Sequence, residues 1–376
     1  MESVDRVRAT LLAAIDAGVF PGAVVHVRRR GQVWCEAAVG RTAQPPIGLS
    51  VTPHTLYDLA SLTKPLATTT AVLQLIQDAV LHLDDPIACH LQELRGTPIG
   101  EAMVWHLLTH SSGLPGWRPY YERLSEEAGT SEPVLGESSN AERALGFIRS
   151  EQLEFVPGER SLYSDLGFIL LGWIVERLSW RSLAEFCRSR IYDPIGAWPL
   201  AFVPRGQTVA KLFGPGSVVA PTEQDSWRGR LLEGEVHDEN AYALGSVAGH
   251  AGLFGTAQAV ACVAQAWLDA WSGKAGRFSS DLVRRFVARQ TVIPSSTWAM
   301  GWDTPSRSGS SAGTHFSNKA FGHLGFTGTS IWVDPAEQLV VVMLSNRVHP
   351  TRHNDGIKTF RPMIHDVIWE ECVAGR

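Results

Sequence analysis

Ser61-Leu62-Thr63-Lys64 is the stretch from which the rest of the chain can be read. The other lysines, Lys211, Lys274, Lys319 and Lys358, follow Thr208, Trp271, Phe316 and Asp355 at the same offset, so only Lys64 has a serine three residues before it. Leu62, Leu66, Leu73, Ile76 and Val80 are spaced by three, four or seven, which predicts a helix opening at Ser61. Pro65 then falls near the first turn, where a missing N–H costs least. Residues three apart on a helix face the same way, so Ser61 Oγ and Lys64 Nζ can meet. A serine hydroxyl needs a base to become a nucleophile. A buried lysine can supply one, because desolvation lowers its pKa. The helix N-terminus offers N–H groups and a positive dipole end to a developing oxyanion. The plainer alternative is a surface serine and lysine on an amphipathic helix.

The 376 residues suffice for one large domain or two. A hydrophobic content of 44% and a charged content of 19% are those of a soluble globular enzyme. The net charge of −5 leaves no basic footprint for nucleic acid. Five scattered cysteines, Cys35, Cys89, Cys187, Cys262 and Cys372, form no CxxC pair and point to reduced thiols. No stretch reads as a signal peptide. The longest apolar run, Phe168 to Val175, is too short to span a bilayer. The expectation is a cytoplasmic protein with no membrane partner and no cofactor.

Along the chain, residues 3 to 17 read as an amphipathic helix, followed by strands at Ala23–Arg29 and Val33–Val39. From Ser61 to about Ile195 the signals are mostly helical, with Asp165–Leu178 the most apolar segment. Trp117 to Asn140 reads as an irregular surface loop able to edge a cleft. Residues 204–239 read as a long connection. Helices at Ala257–Trp271 and Asp281–Arg289, strands at Thr329–Val333 and Leu339–Leu344, and a helix at Arg361–Cys372 close the chain. Strands, then helices, then strands predict an α+β fold. Residues 1–60 and 241–376 form its antiparallel sheet region, and residues 61–240 an inserted helical region. The cleft between them is the expected site.

Two more segments carry chemistry: Tyr163-Ser164-Asp165 before the apolar helix, and His323-Leu324-Gly325-Phe326-Thr327-Gly328 at a strand edge. With Ser61 and Lys64 these supply a nucleophile, two proton carriers and backbone N–H groups. In this order the motifs resemble those of the serine β-lactamase and penicillin-binding-protein superfamily, closest to its class C β-lactamase-related branch: S-x-x-K, then Y-x-N or S-x-N, then K-T-G or H-x-G. Asp58-Leu59-Ala60, the segment Leu107 to Leu114, and Gly252-Leu253-Phe254 fit the same pattern. The resemblance covers nearly the whole chain. It implies a β-lactamase/transpeptidase-like fold, an antiparallel sheet flanked by terminal helices with an all-helical region inserted.

The resemblance also implies roles. Ser61 would be acylated, and Lys64 and Tyr163 would share general base and acid. The N–H groups of Ser61 and Phe326 would form the oxyanion hole; His323, the fourth catalytic candidate, would line the far wall and help bind substrate or tune the proton network. Asp165 stands where Asn is commoner in the family, and an ionised Asp there can pair with Lys64 and hold it charged. H-x-G in place of K-T-G resembles peptidase, amidase and esterase relatives. The stretches Val236–Ala241, Gly249–Gly252 and Asn346–Arg352 resemble cytoplasmic muropeptide-recycling amidases, which cleave between N-acetylmuramic acid and L-alanine. Asp165, Gly325, His250, Arg347 and Arg352 are then substrate-binding candidates, the arginines as forks for a carboxylate; pairing with local acids is the alternative. His106 with His110, and His237-Asp238-Glu239 near His250, have some metal-ligand character, but no metal is expected at either. The partner expected is a small-molecule or short-peptide substrate. An esterase, a D-amino-acid peptidase or β-lactamase, and a silent binding protein are the competing readings.

Overall fold

The computed structural model describes residues 2–130, 132, 137–293 and 295–375. Helix α1 (Glu2–Asp16) leads into strands β1 (Gly22–Arg29) and β2 (Gln32–Gly40). Their hairpin turns at Arg30 and Gly31, both at positive φ, the backbone that a tight two-residue turn requires. Three strands return from the far end of the chain: β3 (Phe321–Leu324), β4 (Ser330–Asp334) and β5 (Leu339–Ser345). The sheet order is β2-β1-β5-β4-β3, antiparallel throughout. β1 and β5 pair over seven residues, from Ala23↔Ser345 to Arg29↔Leu339.

Alternation along the strands builds two cores. Val340, Val342 and Leu344 face the helical side, while Leu339, Val341 and Met343 face α1 and the last helix α5 (Ile357–Trp369). α5 starts a turn earlier than its apolar spacing predicts. On the helical side, α2 (Thr70–Gln77), α3 (Asp165–Ser179) and α4 (Ala257–Trp271) share one apolar core with the inner sheet face. Trp267, Trp302 and Trp332 are fully buried in these cores.

Three local features depart from expectation. The predicted loop 117–140 contains a helix, Tyr120–Ala128, held by buried Tyr120 and Leu124. The short edge strand β3 carries the His323 motif. A second, three-stranded sheet pairs Tyr57–Asp58 and Leu200–Phe202 with Leu253–Gly255. It lies beneath Ser61, with the Leu59 N–H donating to Leu253 O at 2.9 Å.

Candidate active site

Ser61 does not open a plain α-helix. It sits in a tight 3-10 turn, Ala60–Leu62, followed by a wide π turn over Lys64–Thr69 before α2 begins. Ala60 has φ +47°, a conformation costly for a residue with a Cβ. The Asp58 carboxylate holds it there by accepting from the Ala60 N–H at 2.8 Å and from the His237 N–H at 2.7 Å. The widened turn leaves the Pro65 carbonyl to Thr70 Oγ1, which donates to it at 2.8 Å. Such irregular turns concentrate at functional positions.

Two threonines tie this turn to the β3–β4 edge: Thr327 Oγ1 donates to Asp58 O at 2.8 Å and Thr329 Oγ1 to Leu59 O at 3.1 Å. The two segments run so close that a Cβ on Gly325 would meet Leu59 O at 2.6 Å, which explains the glycine of H-x-G.

Lys64 is fully buried. Its Nζ donates to Ser61 Oγ at 3.0 Å and to His250 O at 3.2 Å, and pairs with Asp165 Oδ1 at 2.6 Å. It also lies 4.8 Å from the Tyr163 ring centroid. Burial pulls the ammonium down, but the Asp165 carboxylate and Tyr163 more than offset it, so Lys64 is held charged. The free amine that burial alone would produce is therefore not the resting state, because Asp165 supplies the counter-charge. Burial pushes the Tyr163 phenol up, against the pull of the Lys64 charge, so it rests neutral.

Ser164 caps α3, its Oγ accepting from the Gly167 N–H and donating to Pro115 O at 2.7 Å. The cap fixes the backbone between Tyr163 and Asp165, both of which reach Lys64. Behind Tyr163 lie His110, at 4.6 Å between ring centroids, and Trp298, at 5.4 Å.

His323 Nδ1 is 2.8 Å from Leu324 O. A carbonyl only accepts, so Nδ1 carries the proton and Nε2 is a bare acceptor. Burial, assisted by the Lys64 charge, brings the ring down to about 3, so it is neutral at physiological pH.

Two cavities meet at Ser61 and Tyr163. One, of about 430 Å³, is lined by Trp298, His323, Gly325 and Phe326, with Arg347, Arg352, Lys358 and Arg361. The other, of about 370 Å³, is lined by Trp117, Asp165, His237, Asp238, Glu239 and Phe326. The half-exposed Phe326 ring divides them, held between the His237 ring at 5.6 Å and the Arg347 guanidinium at 4.5 Å.

A family model described as Beta-lactamase matches residues 7–361. The chain belongs to the beta-lactamase family. Among relatives of this family, a protein described as "Putative D-alanyl-D-alanine carboxypeptidase" from Escherichia coli O157:H7 is 30% identical over 378 residues, covering 93% of this chain and 83% of that protein. An N-acetylmuramyl-L-alanine amidase of Bacillus subtilis (strain 168) is 30% identical over 365 residues, covering 89% and 78%. The structure of EstCE1, a hydrolase with promiscuous acyltransferase activity, superposes with a TM-score of 0.76 at 22% identity, covering 98% of this chain and 99% of that one. A class C beta lactamase gives 0.71 at 18%, covering 97% and 98%. These two share the fold expected from the three motifs. As a beta-lactamase-family protein with carboxypeptidase and amidase relatives, the chain is a serine hydrolase.

Within this beta-lactamase-family site the outer candidates are placed differently from expectation. His250 lines neither cavity: its ring is buried against Asp238 at 2.8 Å, and only its carbonyl reaches Lys64. Arg352 is held by Glu223 at 2.6 Å and Glu239 at 2.7 Å, so the pairing with local acids prevails over a free fork. Arg347 donates to the carbonyls of Phe326, Arg352 and Asn354, and so braces the wall. His237 pairs with Glu223 at 2.9 Å, and among the described residues no group of three or more His, Cys, Asp or Glu side chains could hold a metal ion. His106 and His110 point to different partners, the Met103 and Ser164 N–H groups. Arg361 lines the first cavity although the sequence reading placed no role on it. No helix among the described residues is long and apolar enough to cross a membrane.

Proposed function

We propose that this serine hydrolase cleaves the amide between N-acetylmuramic acid and L-alanine in peptidoglycan-derived fragments. The observation that carries the reading is the pair of cavities meeting at Ser61, one lined by the exposed Trp117 with Asp165, Asp238 and Glu239, the other by Arg347, Arg361 and Lys358 with Asp303 and Asp355, and Arg352 bordering both. A sugar ring suits the first, with Trp117 as an apolar face and carboxylates for its hydroxyls. A carboxylate-bearing peptide suits the second. The amidase from Bacillus subtilis adds support.

In this mechanism Lys64 loses its proton to solvent and accepts the Ser61 proton as the amine, the Asp165 carboxylate at 2.6 Å making it the stronger base. Ser61 Oγ bonds to the lactyl carbonyl carbon, and the N–H groups of Ser61 and Phe326 stabilise the oxyanion. Tyr163 protonates the leaving nitrogen as the C–N bond breaks, and recovers a proton from Lys64. Water then hydrolyses the acyl-enzyme by the reverse relay. A D-alanyl carboxypeptidase is the second reading, favoured by the Escherichia coli relative.

Incubation of N-acetylmuramyl-L-alanyl peptides and of D-alanyl-D-alanine peptides with wild type and Ser61→Ala, followed by mass spectrometry, separates the two. We expect lactyl–alanine cleavage by the wild type alone. Release of D-alanine without that cleavage moves the protein to the second reading. Turnover by Ser61→Ala removes Ser61 from both.

A further inference from the structure

We infer that His110 is a positioning residue for Tyr163, holding the chain on both sides of it so that the phenol stands where it can protonate the leaving group. The inference rests on the proposed reading for that proton role, and not for the identity of the substrate.

The residues on either side of Tyr163 are both tied to this one histidine. The Leu162 N–H donates to His110 O at 2.8 Å, and the Ser164 N–H donates to His110 Nδ1 at 3.0 Å. A backbone N–H only donates, so Nδ1 is unprotonated and Nε2 carries the ring's proton. Nε2 is buried without a hydrogen-bond partner among the described residues. The rest of the ring meets aromatic surface: Tyr163 itself, Phe168 at 5.1 Å between centroids, and Trp298 at 4.4 Å. The bond from Ser164 is therefore the one polar use of this ring among the described residues. An apolar side chain would fill the same buried space but leave the Ser164 N–H, also buried, without its acceptor. Burial, helped by the Lys64 charge, lowers the ring well below its ordinary value, so Nδ1 stays an acceptor at neutral pH.

The backbone agrees. His110 sits at φ +54°, a conformation that a residue with a Cβ adopts at a cost. Glycine would adopt it freely but has no ring to offer. Ser161 Oγ adds a third tie beside it, donating to Thr109 O at 3.1 Å. Asp165 has an anchor of its own, its N–H donating to Gly116 O at 2.9 Å. Loss of the imidazole thus bears on Tyr163 more than on the partner of Lys64.

The test measures kcat/KM on ethyl acetate and p-nitrophenyl acetate. The two share an acyl group, but ethoxide must be protonated as it leaves and p-nitrophenolate need not be. In His110→Ala we expect the ethyl ester to fall ~100-fold, as for a misplaced general acid, and the p-nitrophenyl ester less than threefold. His110→Asn, whose Oδ1 accepts in place of Nδ1, should recover most of the loss. In a Tyr163→Phe background, His110→Ala should cost nothing further, because the group it positions is gone. Equal losses on both esters, no loss at all, an Asn variant as poor as the Ala variant, or full additivity with Tyr163→Phe each overturn the inference. His110→Gly, free at this φ, makes the same test if His110→Ala does not fold. If Tyr163→Phe itself lowers both esters equally, the proton role fails and the inference falls with it. If the muramyl amide is not cleaved but the ester pattern holds, the substrate reading fails and the positioning role stands.

Discussion

Asp165 is the residue on which the proton chemistry turns. In the folded state it makes Lys64 hold its proton more tightly than the unfolded chain does. The pair therefore stabilises the fold below the ordinary lysine pKa, and that contribution is lost as pH rises through the raised value. Asp165→Asn removes the counter-charge, and burial then dominates at Lys64. The rising limb of kcat/KM against pH should move down by ~1–3 units, the usual effect of one close opposite charge. A limb that stays in place would detach Lys64 ionisation from the rate. Ser61, Lys64, Tyr163, Asp165 and His323 were legible because each sits in a short motif whose spacing has a chemical reason. Arg361 was not, because an arginine in an amphipathic helix carries no mark of facing inward. His250 was misplaced for a related reason: its neighbours in sequence suggested the cleft, whereas its ring finds Asp238 behind it.

The segments that wall the cleft are pinned by one ionic junction. Glu223 joins the connection after residue 204 to His237 and to Arg352. Burial alone would raise its carboxyl, but hydrogen bonds from His237 and Arg352 bring it to about 2. A depressed carboxyl contributes stability above its ordinary pKa and loses it as pH falls from about 4.5 toward 2. Glu223→Gln should lose ~2 kcal/mol at pH 7, between the values for exposed and buried pairs. Its melting temperature should also fall less than the wild type's between pH 7 and pH 3. An unchanged acid slope would remove Glu223 from the acid response. The main strands were readable from their β-branched runs. β3 was not, with four residues including Gly322 and His323, too few for a period. Helix 120–128 was hidden because its exposed face carries Glu122, Arg123, Glu126 and Glu127 and only Tyr120, Leu124 and Ser125 turn inward.

At the scale of the whole chain, the order of strands, helices and strands was enough to anticipate a sheet closed from both ends. That order carries no information on whether sheet and helices melt together. The structure joins them: Val24, Ile331, Val342 and Leu344 of the sheet lie in one apolar core with Leu66, Leu107, Phe168 and Leu170. Thermal unfolding should therefore be one transition, coincident by far- and near-ultraviolet circular dichroism. Two separated transitions would mean that the core is divided. The threonine ties between the Ser61 turn and the β3–β4 edge have a further consequence. The reacting groups are fastened to the sheet, whereas much of the cavity wall comes from irregular stretches around Trp117 and residues 349–356. Heredity can act on these two parts separately. A lineage built on this scaffold can exchange its walls one loop at a time, trying new nutrients or new wall fragments, while its reaction passes unaltered to its descendants.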